Sequence, residues 1–208
     1  MAFARAAFFV LVAALAGCAT DDLSKPPTQF GDFHLGYDIV VADNAKSTGP
    51  SRQATPEEWQ AALKTAIDKR MGRYDGDKLY HLGVGVVGYA LAVPGIPVLL
   101  SPKSVLVVTV DVWDDSAQRK VNAEPKRLTV FEGLSGSTII GSGLTSSKQQ
   151  QMQRLSDNAA RQINDWLIAN KAWFTPEAVA ARATMPPTPT TPDAGVTPPP
   201  SAPAAPAN

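Results

Sequence analysis

The stretch Val105-Leu106-Val107-Val108-Thr109-Val110-Asp111-Val112-Trp113 decides how this chain folds. An extended backbone sends successive side chains to opposite faces, so Leu106, Val108, Val110 and Val112 make one wholly apolar face. Thr109 and Asp111 make the other face more polar. A second alternation runs from Phe33 to Val41, with Phe33, Leu35, Tyr37, Ile39 and Val41 in one phase and His34, Gly36, Asp38 and Val40 in the other. From Leu79 to Ala92 a glycine-dotted run carries Tyr80, Leu82, Val84 and Val86 on one side. Arg127 to Glu132 and Thr138 to Gly141 are shorter strand candidates. Strands with one apolar face need a covering layer, and two helices supply it.

Thr55 is placed to cap the first helix, Pro56 suits its first position, and Glu58 completes a capping box. Trp59, Ala62, Leu63, Ala66, Ile67 and Met71 then recur at spacings of three and four, with Lys64, Asp68 and Lys69 away from them. Gly72 ends the helix. The second helix starts at Ser146 or Ser147 and aligns Met152, Leu155, Ala159, Ile163, Trp166 and Leu167 opposite Arg154, Asp157, Arg161 and Asp165. The order of strand, helix, several strands and helix predicts an α+β domain: a single antiparallel sheet with both amphipathic helices packed on one face.

The 208 residues include 19 basic and 19 acidic side chains, so no net positive field exists to recruit nucleic acid. One cysteine excludes an internal disulfide framework and a cysteine metal cluster, and two histidines leave little for a histidine site. Neither a dinucleotide-binding glycine fingerprint nor a P-loop occurs, and no cofactor is expected.

At the N-terminus, Arg5 precedes an uncharged apolar run from Ala6 to Leu15, about half the length that crosses a ~30 Å hydrocarbon core. It reads as a leader that is removed. The residues Leu15-Ala16-Gly17-Cys18 closely resemble the lipobox of bacterial lipoproteins. That resemblance implies cleavage after residue 17 and a diacylglycerol on the sulfur of Cys18, with the amine acylated in a diderm host. Two or more chains suffice for stable anchoring. Ala19, where aspartate favours inner-membrane retention, implies the outer membrane and its periplasmic face. Loss of Arg5 with the leader leaves 18 basic and 19 acidic residues.

Four segments follow: a signal peptide over 1–17, a lipidated tether over 18–29, a folded domain over 30–174 and a Pro/Ala/Thr-rich disordered tail over 175–208. Residues 186–208 hold nine of the 18 prolines and one charged side chain, Asp193, a composition that builds no core. Thr175, Pro176 and Glu177 nevertheless have the arrangement of a helix start, good for a turn or two before Met185.

Candidate chemistry is sparse. His34 and His81 fall in strand segments without metal-ligand spacing, and Asp75-Gly76-Asp77 and Asp114-Asp115 fit turns better than a calcium loop. Ser135, Ser137 and Ser142 lie in Gly/Ser-rich stretches that do not fit the G-x-S-x-G spacing. Residues 82–102 carry no formal charge, but Pro94, Gly95, Pro97 and Pro102 break them as a membrane helix. The connection 93–100 is unusually apolar, and Ile96 and Leu99 are candidates for partner contact. Trp59, Trp113, Trp166 and Trp173 read as core and rim residues. Trp173 and Phe174, just beyond the last helix, would form a docking point if exposed. Gln149-Gln150-Gln151 reads as a solvated first turn.

In overall pattern the chain resembles small bacterial envelope lipoproteins with one sheet and two helices, accessory proteins of envelope transport and assembly among them. The lipobox, the valine-rich strand and the closing helix carry the likeness. It implies a non-enzymatic, outer-membrane-anchored binding or assembly module that meets an envelope protein partner. An envelope serine hydrolase and a carrier of a small hydrophobic ligand are the alternatives.

Overall fold

The structure, a computed structural model, describes residues 22–93, 104–132 and 146–185. Helix α1 spans Pro56–Met71 and begins where the capping box places it: the Thr55 hydroxyl accepts from the Glu58 amide at 3.3 Å, and the Glu58 carboxylate accepts from the Thr55 amide at 2.9 Å. Its inner face buries Trp59, Leu63, Ala66, Ile67 and Met71. Helix α2 spans Lys148–Ala169, capped by Ser147, with Gln150 returning the second bond of the box. Lys148 bonds Glu58 at 2.5 Å and ties the two helix starts together. Only part of the glutamine run is solvated. Gln151 is fully buried and donates to the Ala92 carbonyl at 3.3 Å, because its position on α2 faces the end of the sheet.

Among the described residues the strands are β1 His34–Val41, β2 Lys46–Ser47, β3 Leu79–Ala90, β4 Val105–Asp114, β5 Arg119–Lys120 and β6 Lys126–Phe131, joined in one six-stranded sheet. β3 is central, with β1 and then β2 along one edge and β4 along the other. β4 in turn pairs with β6 over its first half and with β5 over its last two residues. The β3–β4, β4–β5 and β4–β6 pairs are antiparallel, but β1 and β2 run parallel to β3, so the sheet is mixed rather than antiparallel throughout. The cause is α1. Parallel neighbours need a long crossover, and a helix between the first strand and the third provides one. The fold is α+β, with α1 and α2 on one face of the sheet. There Leu82, Val84, Val86, Leu106, Val108, Val110 and Val112 meet Leu63, Ile67, Leu155 and Ile163 in a single core.

The face assignment of β1 also needs correction. Leu35 pairs with Tyr80 and Asp38 with Leu82, so β1 uses one residue more than β3 over this step: a β-bulge. Because side chains alternate with period two, the extra residue exchanges the faces beyond it. Phe33 and Leu35 point into the core as the alternation predicts. Past the bulge Asp38 and Val40 turn inward, while Tyr37, Ile39 and Val41 turn out to solvent. The displaced Tyr37 amide donates to His81 Nδ1 at 2.9 Å, and the inward Asp38 carboxylate is bonded by Lys64 of α1.

One end of the sheet is closed by an aromatic cluster of Phe30, Phe33, Tyr74, Tyr80 and Phe174, with centroid separations of 4.7–5.8 Å. After a 3-10 turn over Lys171–Phe174, helix α3 spans Pro176–Thr184 with Thr175 as its cap. The chain past Thr175 is therefore helical to Thr184 and belongs to the domain surface. Arg182 donates to Asp114 Oδ2 at 2.9 Å, to the Trp173 carbonyl at 2.7 Å and to the Tyr80 hydroxyl at 3.3 Å. At the same end, Arg73 holds the Lys25 carbonyl and the Tyr74 hydroxyl lies 3.1 Å from the Thr28 carbonyl, so the chain before Phe30 is seated against the ends of α1 and α2.

Candidate functional site

The helices cover one face of the sheet, and the opposite face carries an apolar groove. It follows from the phase of three strands. Beyond the bulge β1 presents Tyr37, Ile39 and Val41, the central strand presents His81, Gly83 and Gly85, and β4 presents Thr109, Asp111 and Trp113. The registers align them in rows: Val41, Gly85 and Thr109; Ile39, Gly83 and Asp111; His81 and Trp113. Glycine in the middle of two rows leaves a floor of bare backbone between walls about 10 Å apart, twice the ~4.8 Å strand spacing. The resulting groove has a volume of about 620 Å³. Tyr37, Ile39 and Val41 are 72%, 60% and 48% exposed, and Trp113 is 42% exposed. Phe131, 57% exposed on β6 opposite Val105, lies on the same face of the sheet but outside the groove.

The floor has space to spare at one glycine and little at the other. A Cβ at Gly83 would meet only the Asp111 Cβ, at 3.9 Å, whereas one at Gly85 would come within 2.8 Å of the Thr109 hydroxyl. A side chain at residue 83 would therefore fill the groove without displacing a neighbour.

The polar groups at the groove's rim are already engaged. His81 Nδ1 accepts from Tyr37, so the neutral ring carries its proton on Nε2, which lies 3.0 Å from Asp115 Oδ1. The Tyr37 ring lies over the imidazole with centroids 5.2 Å apart. Asp111 pairs with Lys120 at 2.7 Å. Asp114, just below the rim, is a special case. Burial alone would raise its carboxyl, but bonds from Ser116, the Ala117 amide and Arg182 outweigh burial and hold it below the usual carboxylate range. The groove is thus an apolar trough whose rim His81, Asp111 and Asp115 are each paired. Among the described residues no group of three or more His, Cys, Asp or Glu is placed to hold a metal.

Several candidates from the sequence fall elsewhere. Cys18, Ile96, Leu99, Ser135, Ser137 and Ser142 lie outside the described residues, as does the strand candidate over 138–141. Phe174 is only 1% exposed and sits in the aromatic cluster, so it is a core residue and not a docking point. Trp173 is half-buried, its ring edge-on to Trp166 at 5.3 Å. His34 is exposed on β1, where its backbone bridges Asp75. The acidic Asp75–Asp77 stretch is turn chemistry: Asp32 Oδ1 accepts from the Asp77 amide at 2.5 Å and the Lys78 amide at 3.2 Å. Carriage of a hydrophobic ligand between helices and sheet would need an open cavity where Leu63, Ile67, Leu106, Val108 and Leu155 are fully buried; the apolar opening lies on the other side.

The sequence matches no protein-family model and no curated protein. Among solved structures the chain is similar to a DUF330 protein from Xanthomonas campestris, at 14% identity and a TM-score of 0.46, covering 71% of this chain and 92% of that one. It is also similar to a hypothetical protein from Chlamydia trachomatis, at 11% identity and TM-score 0.35, covering 71% and 98%. A minor lipoprotein from Acinetobacter baumannii gives 20% identity and TM-score 0.30, covering 65% and 94%. With TM-scores below 0.5, these likenesses assign no function. Among the described residues no helix is long and apolar enough to cross a membrane.

Proposed function

We propose that this chain is a lipid-anchored protein of the bacterial envelope that works as a non-enzymatic binding or assembly module, and that the groove face of its sheet receives a protein partner. The observation that carries this reading is the row of Tyr37, Ile39 and Val41, turned out to solvent by the bulge and facing Trp113 across a glycine floor. A contiguous apolar patch rimmed by polar groups marks an interaction surface, and aromatic anchors supply most of the binding energy at such surfaces. In this reading the anchor is Cys18 of the lipobox-like Leu15–Cys18, Ala19 favours the periplasmic face of the outer membrane, and the seated segment from Lys25 to Thr28 leads into the domain.

The test is site-specific photocrosslinking of the full chain in intact cells. A photoreactive residue at Ile39 is expected to give a discrete adduct, identified by mass spectrometry, which Gly83→Val weakens by filling the groove. The same residue at exposed Thr65 on α1 should not give it. Equal adducts from both positions, or none from Ile39, would refute the reading. A Cys18→Ser chain should leave the membrane fraction; if it does not, the anchoring half of the proposal fails.

A further inference from the structure

The groove has a candidate occupant within the same chain. After α3 the Met185 carbonyl accepts from Arg119 Nη2 at 3.3 Å. Arg119 lies opposite Asp114 in the β4–β5 ladder, one position from Trp113, and the neighbouring Gln118 lines the groove. The chain therefore passes residue 185 at the Trp113 end of the trough. Twenty-three residues follow, from Pro186 to Asn208. In a polyproline II conformation they reach about 70 Å at ~3.1 Å per residue. The path they need is short: about 10 Å around the edge of the sheet and about 13 Å along β1 from Tyr37 to Val41, at ~3.3 Å per residue.

The chemistry also matches. Residues 186–208 contain Pro186-Pro187-Thr188-Pro189, Pro189-Thr190-Thr191-Pro192, Pro200-Ser201-Ala202-Pro203 and Pro203-Ala204-Ala205-Pro206, four P-x-x-P patterns. Such segments dock in aromatic-lined grooves because polyproline II has little conformational entropy left to lose. Here two aromatic side chains, Tyr37 and Trp113, flank a backbone floor. The segment has one charged side chain, Asp193, and the carboxylates near the groove are compensated by Lys120 and bonded to His81. We infer that the Pro-rich segment 186–208 docks in cis in the groove between Tyr37 and Trp113 and competes there with the partner. This inference rests on the groove being a binding face. Tethering makes weak contacts sufficient, since a short flexible link gives an effective concentration on the order of mM.

The experiment uses the full mature chain in detergent micelles, with fluorotryptophan at its four tryptophans and a nitroxide on Thr197→Cys. Docking predicts loss of the Trp113 fluorine signal by paramagnetic broadening, with the Trp59 signal kept; Trp113→Phe assigns the resonance. Gly83→Val should restore the Trp113 signal while leaving Trp59 and Trp166 unchanged, which shows that the fold is intact. A Trp113 signal as sharp as that of Trp59 overturns the proposal. So does broadening that needs a second, separately labelled copy in the sample, since the occupant is then another molecule. Ending the chain at Met185 separates the two readings. An Ile39 adduct that persists in cells without any broadening in the labelled chain refutes the tail and leaves the partner face standing. Broadening without an adduct supports the tail and refutes the partner.

Discussion

Arg182 fastens α3 to the end of the sheet through three donated bonds, and its replacement by methionine tests whether that helix belongs to the domain. Arg182→Met keeps the length and apolar stem of the side chain but removes the donors to Asp114, the Trp173 carbonyl and the Tyr80 hydroxyl. The Arg182 and Asp114 side chains are 11% and 2% exposed, so solvent replaces little of what is lost. Removing one member of a buried pair costs about 3–5 kcal/mol. Asp114 Oδ1 retains Ser116 at 2.7 Å and the Ala117 amide at 3.1 Å, and α3 buries no residue of its own, so the helix can detach locally. The expected loss is about 2–3 kcal/mol, or a fall in Tm of about 4–12 °C at ~2–4 °C per kcal/mol for a domain of this size. The pH dependence has a definite sign. A carboxyl held below its unfolded value stabilises fully above the ordinary carboxylate pKa and loses that contribution as pH falls through the folded pKa. Without the guanidinium, burial moves Asp114 upward, so the variant loses this contribution at a higher pH than the parent. Thermal denaturation followed by circular dichroism from pH 7 to pH 3, with Asp114→Asn and the double variant, measures both effects. A Tm within 1 °C of the parent, or single-variant losses that add without coupling, would refute the reasoning.

Three further outcomes follow from the same geometry. Phe174→Ala should lose about 3–5 kcal/mol in urea denaturation because it opens a cavity among four aromatic rings, whereas half-buried Trp173→Ala should lose distinctly less. Gly76→Ala should be destabilising by more than about 1 kcal/mol, since its Cβ would lie 2.5 Å from the Phe33 amide nitrogen; Gly83→Ala, with open space above it, should stay within about 0.5 kcal/mol of the parent. His81→Ala removes the acceptor for the Tyr37 amide, so hydrogen exchange at that amide should accelerate, with a loss of stability of about 0.5–1.5 kcal/mol.

Most of the architecture is legible in local chemistry. Thr55 with Glu58 starts α1, and the even-numbered apolar residues of β4 define the core face. Both signals involve neighbours in sequence, which is why periodicity finds them. The direction of β1 is different, because it depends on where the crossover helix returns the chain. The groove face is hidden by one residue. Read at period two, Phe33 to Val41 looks like a single apolar stripe, and only a partner strand shows that three positions of β1 are spent against two of β3. Trp113 alone carried a visible signal, since it shares its phase with Thr109 and Asp111 and not with the core valines.

The bulge therefore builds the groove, an effect that its local energetics do not suggest. It turns the inward-facing second half of β1 into a solvent-facing wall, at the cost of burying Asp38 and of engaging His81 and Lys64 to satisfy the displaced groups. Deleting Gly36 would remove the bulge yet leave Asp38 opposite Leu82, so Ile39 and Val41 would keep their outward phase. The ends of the chain give that wall its setting. In the proposed anchoring, Cys18 is seven residues from the carbonyl of Lys25 that Arg73 holds, at most about 25 Å of extended chain. The chain enters by this aromatic end and leaves by it at Met185, whereas Ser104, Glu132 and Ser146, from which residues 94–103 and 133–145 depart, lie at the opposite end. The trough runs along the strands between these ends. Anchoring at Cys18 would thus tie the domain to a bilayer by the end at which Met185 also leaves it, the end where Tyr37 and Trp113 flank the groove.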